Sequence, residues 1–142
     1  MGDLTGIDTS ILVYSLDPTF PEHGAAKRAV LSLEGWFVNP TVIHESYHTL
    51  VYKRRMGRMD AKAKLEGFLS DKRTSFLSQT KAVTSFSLDL AAAYDLGGRD
   101  SLIISCYLYN RIGRMITHDD KILKRMSLSF RGKSIRFEDP LR

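Results

Sequence analysis

Five runs of three or four strand-forming residues are spread along this chain, and the longer stretches between them carry apolar residues at helical rather than alternating spacing. The runs are Leu4 to Ile7, Trp36 to Val38, Ser75 to Leu77, Arg114 to Thr117 and Ser134 to Phe137. Short strands alternating with helices point to an α/β sandwich with a mainly parallel central sheet. The helices are expected over Thr9 to Tyr14, His23 to Glu34, Pro40 to about Arg55, Asp60 to about Ser70 and Lys81 to Leu96. Asn39 before Pro40 is the favoured helix start, and Gly97-Gly98 is a helix stop. A further helix opens at Asp100, and its residues Leu102 to Leu108 are apolar on nearly every face, as in a helix buried inside a layered domain. A last short helix runs from Asp119-Asp120 to Met126.

At 142 residues the chain is long enough to bury one real core and too short for two, so residues 1–142 are expected to form a single domain. No apolar run approaches the roughly 20 residues that span a bilayer, and no basic flank with an apolar stretch marks a secretory signal. A cytoplasmic protein with no membrane partner is expected. The lone Cys106 lies within the apolar run and reads as a small core hydrophobe.

The net charge of +5 is unevenly distributed. Residues 1–110 hold twelve Lys/Arg and twelve Asp/Glu, whereas residues 111–142 hold nine basic and four acidic residues. A basic segment concentrates polyanions, of which nucleic acid is the commonest in a cell, although a solvated basic surface also serves solubility alone.

In open α/β sheets ligands bind beyond the carboxyl ends of the strands, where strand order reverses. Asp8 and Asp119 each follow a short apolar run directly, so two adjacent strand ends would bring two carboxylates to one cation. Mg²⁺ is usually held by one or two carboxylates together with water and phosphate, and such an ion activates water for attack on phosphorus. Asp8, Asp100 and Asp119 also stand where helices begin, and Asp is a preferred N-cap, so capping accounts for each taken singly. Glu45 lies beyond the first turn of its helix, opposite the side carrying Val42, Ile43, Tyr47, Leu50 and Val51, where a plain surface role is open to it.

A second chemistry is written into the same helix. His44-Glu45-Ser46-Tyr47-His48 is literally H-E-x-x-H, the spacing that puts two zinc ligands one helical turn apart with a glutamate as general base. No third zinc ligand has the expected context after Gly57, and a zinc metallopeptidase would leave Asp8, Asp100 and Asp119 without a role.

Taken together, Ile7-Asp8-Thr9-Ser10, Val42-Ile43-His44-Glu45-Ser46, Asp100-Ser101-Leu102-Ile103 and Ile116-Thr117-His118-Asp119 resemble the motifs of the PIN-domain nucleases, and within them the toxins of VapBC-type toxin–antitoxin modules. The resemblance spans the chain, in order. It implies a three-layer α/β/α fold, endoribonuclease activity, and Mg²⁺ or Mn²⁺ held by Asp8, Asp100 and Asp119 with Glu45 as a fourth catalytic acid. It further implies a homodimer and a small antitoxin partner. By the Thr-x-Asp match, Thr117 supplies a supporting hydroxyl and Asp120 is an auxiliary acid, while Thr9 or Ser10 supports Asp8. Arg114, Lys121, Lys124 and Arg125 flank Asp119 and are the expected contacts to RNA phosphates. A fold kept as an RNA-processing or RNA-binding module, without toxin activity, is the remaining alternative.

Overall fold

The computed structural model describes residues 3–142, which form a six-stranded, mostly parallel sheet flanked by helices. The strands are β1 (Thr5–Ile7), β2 (Trp36–Val38), β3 (Thr74–Phe76), β4 (Arg114–Ile116), β5 (Ser127–Phe130) and β6 (Lys133–Glu138), and their spatial order is β3-β2-β1-β4-β6-β5. Among the described residues only the β5–β6 pair is antiparallel. The helices are α1 (Thr9–Leu16), α2 (His23–Leu31), α3 (Pro40–His48), α4 (Arg58–Ser70), α5 (Lys81–Tyr94), α6 (Gly98–Tyr109) and α7 (Asp120–Leu123), and a π-helical turn, Thr49–Lys53, prolongs α3.

Chain order runs outward from β1 through β2 to β3, then returns to the other side of β1 as β4. The switch point is therefore the gap between β1 and β4, whose register pairs Ile7 with Ile116. Both strands end there in polar residues, Asp8 after β1 and Thr117 after β4, and the Asp8 amide donates to the Ile116 carbonyl at 3.1 Å.

Local chemistry fixes the helix starts. Asn39 accepts from the Val42 amide at 3.1 Å with Pro40 in the first turn, and Thr80 accepts from the Val83 amide at 3.2 Å. Three expectations are corrected. The helix expected to start at Asp100 begins at Gly98 with Gly97 as its cap, so Asp100 stands in the first turn. Gly97-Gly98 does not stop α5; Asp95, at φ 51°, takes the left-handed closing position, which Asp tolerates better than most residues. The helix expected to reach Met126 ends at Leu123, because residues 127–130 form an extra strand that turns back into β6 through Arg131 and Gly132, both at positive φ. Two successive positive-φ residues make the kind of tight turn that matches strand twist.

The core is continuous from the strands into α1, α3, α5 and α6. Tyr107 of α6 stands at its centre, fully buried, with its hydroxyl donating to the Ile7 carbonyl at 2.6 Å and to the Phe37 carbonyl at 3.1 Å. The ring fits because residue 6 has no side chain: a Cβ on Gly6 would lie 2.6 Å from Tyr107 Cε2. Gly6→Ala is accordingly expected to destabilise the fold by about 1–3 kcal/mol, the usual cost of overpacking, lowering the melting temperature by several degrees. A Gly6→Ala protein that melts with wild type would show that the ring can move aside.

Candidate active site and metal centre

Asp8 and Asp119 lie beyond the carboxyl ends of β1 and β4, and Glu45 and Asp100, from two other parts of the chain, lie close enough for their charges to bear on this group. Asp8 is the innermost, 6% exposed. Its Oδ1 accepts from the Thr9 amide at 2.8 Å and its Oδ2 from the Thr117 hydroxyl at 2.6 Å. Thr117 in turn accepts from the Asp119 amide at 3.1 Å, so one buried hydroxyl ties the first acid to the backbone of the fourth. Asp119 caps α7 through the Lys121 amide at 2.9 Å. Glu45 is half-buried against the start of α1, where its Oε1 accepts from the Thr9 hydroxyl at 2.6 Å and its Oε2 lies 3.2 Å from Arg99 Nε.

The electrostatics follow from this crowding. Burial pushes the Asp8 carboxyl up to about 6, opposed by its hydrogen bonds from Thr117 and Thr9 and reinforced by the charges of Asp100 and Glu45. Asp100 is also raised, first by burial and then by Asp119 and Glu45, against the pull of Arg99 and Lys121. Two carboxyl groups raised by burial and by neighbouring negative charge, in a set whose only donor type is oxygen, suit a hard divalent cation. Among the described residues, no three His, Cys, Asp or Glu side chains close around a single point.

The expected supporting residues divide their work differently from the expectation. The Thr9 hydroxyl serves Glu45 and only its amide serves Asp8, while Ser10 Oγ accepts from the His118 amide at 3.1 Å. Asp120 is exposed and pairs with Arg142 at 3.0 Å. Lys121 bears on Asp100 through its charge, Lys124 is exposed, and Arg125 donates to the Tyr94 carbonyl at 3.0 Å. Arg114 departs from the grouping: it starts β4, at the strand's amino end, and its Nε lies 3.0 Å from Glu138. Its three-residue strand separates it from Asp119.

Two participants carry no signal in the sequence. Arg99 precedes Asp100 in the first turn of α6 and reaches Glu45 only because α6 packs beside α3. His118, one residue before Asp119, is held by Asp139, whose buried Oδ2 lies 2.7 Å from its Nδ1 and 3.0 Å from Arg142 Nε. The H-E-x-x-H histidines, His44 and His48, are both exposed. No third zinc ligand joins them among the described residues, and Glu45 between them is engaged with Thr9 and Arg99.

Comparison with known proteins agrees with this architecture. A profile of the PIN domain matches residues 7–127. No curated protein sequence gives a match. Among solved structures, VapC20 of Mycobacterium tuberculosis, described as a toxin that cleaves the sarcin-ricin loop, superposes with a TM-score of 0.68 at 19% identity over 78% of this chain and 86% of its own. A chain of VapBC2 from Rickettsia felis, bound to a DNA fragment from its promoter, gives 0.68 at 17% identity over 96% and 98%. A chain of DNA-bound VapBC from Salmonella typhimurium gives 0.69 at 16% identity over 98% and 99%.

Proposed function

The chain belongs to the PIN-domain family, and from that premise we propose that it is a metal-dependent endoribonuclease, the toxin of a toxin–antitoxin pair. The observation that carries this proposal is the link from Asp8 through the Thr117 hydroxyl to the Asp119 amide, with the charges of Glu45 and Asp100 bearing on Asp8. Capping alone requires none of these contacts between distant acids. Asp100, moreover, is not a cap.

In this proposal Asp8, Asp100 and Asp119 hold Mg²⁺ or Mn²⁺. When bound, such an ion polarises a phosphoryl oxygen and makes a water acidic enough to attack phosphorus near neutral pH. The chain's own groups do the rest. Thr117 keeps Asp8 oriented by donating to Oδ2. Glu45, fixed through Oε1 by Thr9 and with Oε2 3.2 Å from Arg99 Nε, orients the attacking water and takes its proton. Lys121 offsets the negative charge of Asp100 and, with Lys124, draws the substrate phosphates in.

The test is cleavage of a labelled single-stranded RNA by the purified chain in Mn²⁺, Mg²⁺ and EDTA, with DNA of the same sequence alongside. Cleavage of the RNA in either ion, abolished by EDTA, is the expected result. Intact RNA in both ions, from a protein that melts cooperatively, would leave the fold as a binding module. For partners we propose a small antitoxin chain and a second copy of this chain. The support for an antitoxin is that structures similar to this one are chains of VapBC assemblies.

A further inference from the structure

The helix that carries Glu45 also carries a stripe for which acid chemistry has no use. His44, His48 and Tyr52 recur every four residues along α3 and the π-helical turn, so they share one face. The His48 and Tyr52 rings stand 5.1 Å apart, inclined at 38°. Tyr52 is 66% exposed, so core packing does not explain it. Next along the chain come Lys53, Arg54, Arg55 and Arg58. Arg54 is committed internally, 3.5 Å from Asp17 and 3.8 Å above the Phe20 ring. Lys53, Arg55 and Arg58 are exposed, and among the described residues none pairs with an acid.

The backbone here is unusual as well. The π-helical turn closes with Arg54 donating to the Thr49 carbonyl at 2.9 Å and Met56 to the Leu50 carbonyl at 2.8 Å, and Arg55 takes a left-handed φ of 56°. π-helical turns are rare and concentrate at functional sites. The other end of the stripe runs into a concavity of about 380 Å³ lined by Thr41, His44, Glu45, His48, Gln79 and Arg99. Glu45, whose charge bears on Asp8 and Asp100, is thus one of the walls of this concavity. His44 also lines the next concavity, together with Arg58.

We propose that this surface is a track for single-stranded RNA, leading one arm of the substrate away from the acidic cluster past Arg99 and over Tyr52 to Lys53, Arg55 and Arg58. The proposal rests on the endoribonuclease assignment above. Aromatic faces that stack bases, interleaved with cations that meet phosphates, are how single strands are held without a paired helix to read. The three free cations supply the phosphate contacts, and the exposed His48–Tyr52 pair supplies the stacking platform.

The experiment is fluorescence anisotropy of a labelled single-stranded oligoribonucleotide in EDTA, titrated with wild type and variants between about 50 and 200 mM salt. Tyr52→Ala is expected to bind about tenfold more weakly with an unchanged salt slope, because stacking releases no counterions. Tyr52→Phe keeps the ring and should bind as wild type does. Arg55→Gln combined with Arg58→Gln should flatten the log–log salt slope by about 0.7 per phosphate contact removed. These side chains are exposed, so melting temperatures should stay near wild type and report folding. Wild-type affinity and slope in both Tyr52→Ala and the double variant would overturn the track. Should wild type still cleave RNA in Mn²⁺ in that case, the nuclease assignment survives without it. The reverse result, variants that lose binding while wild type cleaves nothing in any metal, would keep the track and discard the nuclease.

Discussion

Asp8→Asn is expected to lose at least about 100-fold in RNA cleavage while keeping the fold, since removing one group aimed at a transition-state charge commonly costs 10²–10³ in rate. The substitution preserves shape and removes charge, so a capping or space-filling role predicts almost no effect. Asp119→Asn should behave alike, because it removes the carboxylate charge that the proposal assigns to holding the ion while keeping the backbone amide bond to Thr117. Thr117→Val tests the tie itself: it keeps the bulk and deletes the donor, and loss of a group supporting a metal ligand typically costs about 10–100-fold. The informative measurement is the rate as a function of Mn²⁺ concentration. Thr117→Val should need more Mn²⁺ to reach its maximum, whereas Glu34→Gln, an exposed acid outside the site, should match wild type. Equal rates for wild type, Asp8→Asn and Thr117→Val at every Mn²⁺ concentration would end the metal-site proposal.

How legible this site was depends on how far each contact reaches along the chain. Asp8 was legible because it directly follows a strand, and a strand end points its next residue at the switch crevice whatever the rest of the chain does. Thr117 reads as the last residue of its strand and stands out only by the family motif, and Asp119 lies three residues beyond the end of β4 rather than directly after it. The start of α3 was legible for the same local reason, an Asn39-Pro40 cap. Arg99 was not, since its partner lies on a different helix and nothing in the periodicity of α6 says which neighbour it meets. Asp100 was assigned to the wrong helical position because a glycine pair reads equally well as a stop for α5 or a start for α6; Asp95 in the left-handed region settles which. β5 escaped because four residues are too few for alternation to stand out, and only pairing with β6 makes them a strand. The basic run at Lys53–Arg58 was hidden by averaging: across residues 1–110 the charges cancel, although within six residues they do not. Arg114, conversely, looked close to Asp119 in sequence and is held apart from it by the length of β4.

The strain of assembling these acids should be measurable as stability. With its pKa raised from 3.8 to about 6, Asp8 binds a proton more tightly in the folded chain than in the unfolded one. For such a group the folded state is favoured below the unfolded value, and this advantage is lost as pH rises through about 6, opposite to the usual behaviour of a carboxylate. The shift corresponds to about 3 kcal/mol at 1.36 kcal/mol per unit. Without metal, therefore, Asp8→Asn should melt with wild type near pH 4 and above it near pH 7.5, and the difference between the two proteins isolates this group from the other carboxylates. Asp100 is raised in the same direction by burial, Asp119 and Glu45, so Asp100→Asn should also melt higher than wild type at pH 7.5 in EDTA. Mn²⁺ reverses the order. An ion that binds only the folded state adds RT ln(1 + [L]/Kd), about 2.7 kcal/mol at 100 times Kd, which for a domain of this size means several degrees. Wild type should gain that shift, Asp100→Asn should gain less, and NaCl at equal ionic strength should produce neither, because screening weakens repulsion without binding the site. Three melting curves per protein, in EDTA, Mn²⁺ and NaCl, decide the matter. If wild type and Asp100→Asn melt together in all three, the four carboxyl groups neither strain the fold nor share an ion, and the site loses its physical basis.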